Sequence, residues 1–174
     1  MDEIVKAALK KWPNVPHCWG WLALDARGDW YMRDDRVQAA GAFPAVKGSR
    51  ILHDKLREFI HRNYAADESG CWFFQNGPQR VYVELEAAPF VWRLHAQGER
   101  APALVSHTGA PAQAVDAAWL DEQGRLFLAT ELGLGIDTPR HCIGLSGRIG
   151  HQMQGHQRLF ISRPDPGRGV EGPD

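Results

Sequence analysis

Residues 70–91 constrain the fold more than any other part of the sequence, because they are typical of two adjacent strands joined by a turn. An apolar run at residues 71–74 is followed by turn residues at 76–78. Within residues 81–86, Val or Leu then alternates with Tyr or Glu. Alternation at a period of two is the pattern of a strand with one buried face. This stretch therefore predicts a β-hairpin.

Two more hairpins are predicted, one near the start of the chain and one in its second half. Their strands are residues 18–24 with 29–33 and residues 115–120 with 125–130. The connecting turns, Asp25-Ala-Arg-Gly28 and Asp121-Glu-Gln-Gly124, share the spacing Asp-x-x-Gly. Ordinary hairpin chemistry accounts for the similarity, because Asp caps its own turn and Gly tolerates a positive φ. A duplicated strand-rich unit is the alternative.

Two helices are expected. Residues 2–11 form an amphipathic pattern that Trp12-Pro13 stops. A longer helix is predicted from Ser49, as the capping residue, to about Tyr64. Its inward positions recur at helical spacing, namely Ile51, Leu52, Leu56, Phe59 and Ile60. Between the first hairpin and this helix, residues 35–47 are expected to form a loop.

The predicted fold class is α+β, with antiparallel β-hairpins or sheets, one long helix and a short N-terminal helix. Further strands are expected at residues 90–95, 103–106 and 158–162. We expect an α+β N-terminal half at residues 1–96, a strand-rich C-terminal half at 97–163 packed against it, and a disordered tail at 164–174. The two Asp-x-x-Gly turns leave open whether the halves are repeated motifs.

Composition restricts the classes of function. The chain has 174 residues and a net charge of -1, so no overall field would draw it to nucleic acid or to an anionic membrane. It contains no apolar run long enough to span a bilayer. The three cysteines, Cys18, Cys71 and Cys142, are odd in number and widely spaced, which favours free thiols in a reducing compartment. A cytoplasmic location is therefore expected.

Several segments together resemble a bacterial family of unknown function, DUF1285. They are Gly28-Asp-Trp30, the helical pattern at 49–64, Gly70-x-Trp-Phe-Phe, Arg80-Val-Tyr-Val-Glu84 and Glu86-Ala-Ala-Pro-Phe-Val91. The resemblance covers about residues 20–95, and the Ala-Pro-Phe-Val portion is its most specific part. It implies an α+β fold with repeated strand-rich motifs and a role in ligand binding or signalling rather than in catalysis. The family supplies no catalytic residues to transfer.

The chain departs from the family pattern in the central hairpin. Residues 75–79 replace a Thr-Pro-x-Glu turn, and Ala87 stands where the family usually has Asp. These differences mark the turn as the place where this chain would differ in function.

An anion-binding site is predicted at the start of the expected long helix. Lys47, Ser49 and Arg50 would place two cations and a hydroxyl at a helix N-terminus, where free N–H groups and the helix dipole favour an anion. Asn76 and Arg80 from the hairpin would complete it. The alternative is an ordinary serine cap flanked by exposed cations.

A metal site is the second candidate. His141, Cys142, His151 and His156 form the densest cluster of nitrogen and sulfur ligands, and zinc takes three or four such ligands. Their spacing matches no established zinc finger, so solvated or core histidines are the alternative. We expect no cofactor, with zinc as the exception if these residues bind a metal.

Tryptophans offer a third route to function. Trp19 and Trp21 are expected to share one face of a strand, so that both are buried or both are exposed. Exposed indoles would form an adhesive surface for a partner.

The leading hypothesis is a cytoplasmic bacterial protein without enzymatic activity that binds a small molecule, anionic in charge, or a protein partner in a regulatory or signalling setting. A small metal-dependent enzyme that uses the His141–His156 region is the first alternative. A structural interaction module, acting as a homodimer or with another protein, is the second. Neither nucleic acid nor membrane is expected as a partner.

Metal analysis separates the first two hypotheses. Protein purified without a histidine tag is expected to contain no stoichiometric zinc or iron. Stoichiometric metal that is lost when His151 and His156 are replaced by alanine would favour the enzyme instead.

Overall fold

The computed structural model describes residues 1–97 and 100–137, which form two β-sheets and three short helices. The helices are α1 (Glu3–Lys11), α2 (Asp35–Ala40) and α3 (Asp54–Arg62). The strands are β1 (Cys18–Leu24), β2 (Trp30–Met32), β3 (Ser49–Arg50), β4 (Tyr64–Ala66), β5 (Trp72–Asn76), β6 (Gln79–Leu85), β7 (Phe90–Gln97), β8 (Arg100–Ser106), β9 (Val115–Leu120), β10 (Leu126–Thr130) and β11 (Gly133–Asp137). No helix in this part of the chain has both the length and the apolar character needed to cross a membrane.

Each sheet joins two antiparallel groups of strands through one parallel pair. The larger sheet has the order β3-β2-β1-β6-β5-β4, and β1 lies parallel to β6. The smaller sheet has the order β8-β7-β11-β10-β9, and β7 lies parallel to β11. Parallel neighbours require a crossover connection between them, and α3, which follows edge strand β3 and precedes edge strand β4, makes this crossing over the larger sheet.

The expected α+β architecture is wrong for the described residues, which are mostly β. Two mixed sheets of six and five strands replace the purely antiparallel hairpins. The helices are short, with nine, six and nine residues. One of them, α2, lies within the predicted loop at 35–47, where the Asp34 carboxylate accepts a hydrogen bond from the Val37 N–H and caps it.

The predicted long helix at 49–64 is also wrong, because its first residues form strand β3. Ser49 and Arg50 pair with β2, and α3 begins only at Asp54, where the His53 side chain accepts a hydrogen bond from the helix. Ile51 and Ile60 nevertheless enter the same core cluster. A residue just after β3 and a residue of α3 that point into one core produce the spacing of a single helical stripe.

The predicted hairpins are confirmed. β5 pairs with β6, β1 with β2, and β9 with β10, all antiparallel. At both Asp-x-x-Gly turns the carboxylate accepts from the second and fourth N–H groups after it, from Arg27 and Asp29 in the first turn. A third turn, between β4 and β5, has the same bonds around Asp67. This recurrence favours hairpin chemistry, and duplication of the halves stays a prediction.

The change from one sheet to the other falls at residues 86–89, between β6 and β7. The division into halves at residue 96 stays a prediction, while β7 itself belongs to the smaller sheet. The core is divided in the same way. One cluster of buried side chains lies around Leu24 and Trp30 in the larger sheet, and another around Trp92 in the smaller sheet. The predicted strand at 158–162 and the tail at 164–174 lie outside the described residues.

Gly48 closes the loop that leads from α2 to β3. Its φ of +90° is in the left-handed region, and a Cβ built there would contact the carbonyl oxygen of Met32. The same Cβ would lie 3.2 Å from the side chains of Arg33 and Val37. Gly124 has a similar φ of +74° but has no atom within 4 Å of such a Cβ. A substitution at either glycine strains the backbone, but only a substitution at Gly48 also crowds neighbouring atoms.

Alanine at either glycine is expected to lower the free energy of unfolding, and Gly48→Ala more than Gly124→Ala. The left-handed conformation costs each variant roughly 1–2 kcal/mol. Crowding against Met32 adds about 1–3 kcal/mol for Gly48→Ala alone. Urea unfolding of both variants measures the difference, and equal losses would contradict the packing around Gly48.

Candidate functional site

A half-open cleft lies between α3 and the larger sheet. Its volume is about 280 Å³. The residues that line it come from α3, from four strands of the larger sheet and from the segment after β3: Cys18, Trp21, Leu22, Met32, Ile51, Leu56, Ile60, Phe74, Asn76, Gln79 and Val81. Because α3 packs on β5, the side of the sheet formed by β1 and β2 is left less covered, and the cleft lies there.

The cleft has a buried apolar floor and an exposed apolar mouth. The floor side chains are all less than a tenth exposed: Leu22, Ile51, Ile60, Phe74 and Val81. At the mouth, Trp21, Met32 and Leu56 are 39%, 51% and 37% exposed. Exposed apolar side chains grouped around a concavity are a usual mark of a binding surface.

The position of α3 is held at both ends. At its start, the His53 side chain accepts from the Leu56 N–H at 3.3 Å. At its end, buried Asn63 donates to the Phe59 carbonyl oxygen at 3.0 Å and accepts the Gln75 N–H of β5 at 2.8 Å. These bonds fix the helix over β5 and so set the width of the cleft.

Three polar side chains line the cleft. Asn76 and Gln79 occupy paired positions on either side of the β5–β6 turn, so their amides lie at the same end. The third is the thiol of Cys18, and burial raises its pKa. A thiol with a raised pKa is a poor nucleophile at neutral pH, so the cleft is better suited to binding than to covalent chemistry.

Charged side chains concentrate on the opposite face of the larger sheet. The Lys47 ammonium lies 2.9 Å from the Asp25 carboxylate and 3.2 Å from that of Glu86. Burial alone would raise the pKa of Asp25, but hydrogen bonds from Lys47 and from backbone N–H groups outweigh it and lower that pKa. Buried Arg33 pairs with Glu84 and also donates to two carbonyl oxygens of the 41–46 loop. These charges are matched within the protein.

The structure does not bring the predicted anion-binding residues together. Ser49 and Arg50 lie in edge strand β3 rather than at a helix N-terminus, and Arg50 pairs with Asp29 at 2.6 Å. Asn76 lines the cleft, whereas Arg80 lies over the Phe73 ring at 4.6 Å on the other face of the sheet. Six residues of strand separate Arg80 from Glu86, the partner of Lys47, which is about 20 Å.

The predicted metal ligands His141, Cys142, His151 and His156 lie outside the described residues. Within residues 1–97 and 100–137, no group of three or more His, Cys, Asp or Glu side chains is placed to hold a metal ion. The metal site stays a prediction.

Trp19 and Trp21 do not act as a pair on one face. Gly20 between them has a φ of +77°, and the register of β1 against β6 shifts at this point. Trp19 stacks on Tyr82 with ring centroids 3.7 Å apart, while Trp21 lines the cleft on the other face. The irregularity at Gly20 therefore turns Trp21 toward the cleft.

A second cluster, unforeseen from the sequence, lies where the two sheets meet. The buried Trp30 indole donates to His61 Nε2 at 2.9 Å, and the rings of His61 and His107 are 5.5 Å apart. His107 Nδ1 accepts from the Val91 N–H at 3.3 Å, and the buried Nε2 of His107 has no hydrogen-bond partner among the described residues. Two histidines are fewer ligands than zinc requires. We therefore interpret this cluster as a packing contact between uncharged rings of the two sheets.

Burial determines the charge state of both histidines. It lowers the pKa of His107 to about 3, with smaller contributions from the nearby charges of His61 and Arg93. Burial and the Arg57 charge lower the pKa of His61 to about 4. Both rings are neutral at pH 7.

The fold and the cleft define a strand-rich domain with two mixed sheets and an apolar cleft beneath a short helix. A family model described as "Protein of unknown function (DUF2946)" matches residues 1–161, and the chain belongs to that family. No protein in the search of curated proteins matches it.

Two solved structures match this chain. A DUF1285 family protein from Silicibacter pomeroyi is 14% identical, covers 84% of each chain and has a TM-score of 0.52. A second, from Shewanella baltica, is 17% identical over 75% of this chain and 93% of that chain, with a TM-score of 0.48. The resemblance to DUF1285 is thus confirmed at the level of the fold.

The buried histidines predict a loss of stability in acid. A histidine whose pKa is lower in the folded state stabilises the protein above its unfolded pKa of about 6.5, and this stability is lost as the pH falls toward the folded value. For His107 the loss between pH 7 and pH 5 is about 2 kcal/mol.

The variant His107→Asn keeps an acceptor for the Val91 N–H and cannot titrate. Urea unfolding at both pH values is expected to show a dependence that is flatter by about 2 kcal/mol in this variant. Gln113→Asn, an amide substitution at an exposed position that cannot titrate, is the control and should keep the wild-type slope. An unchanged slope in His107→Asn would contradict a neutral, buried His107.

Proposed function

We propose that this protein binds a small molecule in the cleft between α3 and the larger sheet and has no enzymatic activity. The observation that supports the proposal is the combination of a preformed apolar floor with an exposed apolar mouth formed by Trp21, Met32 and Leu56. Ligand sites in proteins are concave, mostly apolar and largely preformed, with few polar groups.

The cleft limits the size of the ligand. Its volume of about 280 Å³ is close to the lower end of the usual range for ligand sites. A ligand of similar size would bury most of its surface against the floor.

A regulatory or signalling role in the cytoplasm completes the proposal and rests on the sequence. The resemblance to DUF1285 supports the regulatory role, and the odd number of cysteines supports the cytoplasmic location. The anion-binding hypothesis at Lys47 and Arg50 is less well supported than the cleft, because a carboxylate already pairs with each of these cations.

Thiol protection tests the location of binding. With Cys71 and Cys142 replaced by serine, Cys18 is the single thiol and lines the cleft. Hexan-1-ol is expected to slow alkylation of Cys18 by iodoacetamide with a millimolar Kd. A millimolar Kd corresponds to about -4 kcal/mol, or roughly -0.6 kcal/mol for each of about seven non-hydrogen atoms.

Two tryptophan variants, one at the mouth of the cleft and one outside its lining, provide a matched comparison. Leu56→Trp narrows the cleft and should abolish protection, whereas Leu52→Trp, on a more exposed leucine outside the lining, should preserve it. Equal protection in both variants, or none in the parent protein with hexan-1-ol, cyclohexanol and indole, would overturn the proposal.

A further inference from the structure

The lining of the cleft is uncharged. None of the described residues that form it is Asp, Glu, Lys, Arg or His, and the polar lining groups are two amides and one thiol. A charged ligand group placed there would lose its hydration without gaining a partner of opposite charge. Such a transfer costs several kcal/mol, so the cleft discriminates against ions.

Of the cations next to the lining in sequence, Arg80 lies on the other face of the larger sheet, and Arg57 of α3 pairs with Asp54. Gln79 and Val81 line the cleft, and Arg80 between them lies over the Phe73 ring. Phe73 in turn pairs with Tyr82, whose hydroxyl donates to Asp67 at 2.9 Å on that face. Because neighbouring strand residues point to opposite faces, Arg80 cannot neutralise an anion in the cleft.

The two amides provide hydrogen-bonding capacity at one end. Asn76 is exposed, and its side chain carries both a donor and an acceptor. Gln79 uses its amide nitrogen to donate to the Pro16 carbonyl oxygen at 3.1 Å, which orients the side chain and leaves its carbonyl oxygen as an acceptor. An uncharged group with an O–H or N–H can satisfy these amides, whereas a hydrocarbon cannot.

We infer that the cleft takes a neutral, mostly apolar ligand with one hydrogen-bonding head group, such as an alcohol or a primary amide, held at Asn76 and Gln79. The tail lies on the apolar floor against Phe74 and Ile60. This inference rests on the proposed function and adds the chemical class of the ligand. The inferred ligand is a neutral molecule, whereas the sequence predicted an anion.

A series of six-carbon probes with different head groups tests the class, with the alcohol matched in tail to the ammonium ion and the amide matched to the carboxylate. The probes are hexan-1-ol, hexanamide, hexanoate and hexylammonium, titrated at pH 7 into the full chain, with dissociation constants from ¹H–¹⁵N NMR shifts. The alcohol and the amide are expected to bind at least tenfold more tightly than both ions. Tighter or equal binding of hexanoate would overturn the inference while leaving the cleft as a binding site, whereas no binding of any probe would overturn the proposed function.

Variants at the two amides test the assignment of the head group. The double variant Asn76→Leu, Gln79→Leu is expected to weaken hexan-1-ol binding about fivefold to tenfold, since it removes the polar partners. Gln113→Leu, at an exposed amide near the smaller sheet, should leave binding unchanged. Wild-type affinity in the double variant would overturn the assignment.

A variant that is expected to gain affinity provides a test that stays informative even if the double variant misfolds. Asn76→Lys places a cation at the polar end, and hexanoate is expected to bind this variant at least fivefold more tightly than wild type. No gain for hexanoate in folded Asn76→Lys protein would place the head group elsewhere and overturn the inference.

Discussion

The parallel pairing of β1 with β6 is the constraint on which the rest of the larger sheet depends. Two parallel neighbours cannot be joined by a tight turn, so the intervening chain must cross the sheet before β6 begins. That crossover includes α3, which packs on β5 and leaves β1 and β2 less covered. The cleft is the space left on this side. Its floor is the same apolar cluster, including Leu22 and Ile60, that stabilises the sheet.

Much of the local structure could be predicted from the sequence, but the arrangement of the elements could not. The hairpins follow from alternation and from Asp-x-x-Gly turns, both of which are local signals. The helix predicted at 49–64 fails because Ile51, just after β3, and Ile60, in α3, reach one core from separate elements. Parallel pairing leaves no local signal, since β1 and β6 are separated by more than fifty residues. The irregularity of β1 at Gly20 could not be predicted from the sequence either.

The candidate site was largely missed for the same reason. Its lining comes from separate elements that only the topology of the sheet brings together, and of the residues predicted for the anion site only Asn76 lies in it. Lys47 and Arg50 are close together in the sequence, but their carboxylate partners lie far away in sequence or in another turn. The sheet separates two environments, with matched charges on one face and an uncharged cleft on the other. Closeness in sequence conceals that separation, because Gln79 and Arg80 are neighbours in β6 yet lie on opposite faces.

In the proposed complex, a neutral ligand occupies the cleft with its polar group at the β5–β6 end. A crystal structure of the protein grown with hexanamide tests it most directly. We expect density for the pentyl chain against Phe74 and Ile60, with the amide within hydrogen-bonding distance of Asn76 or Gln79. Density beside Lys47 and Arg50 with an empty cleft would contradict it.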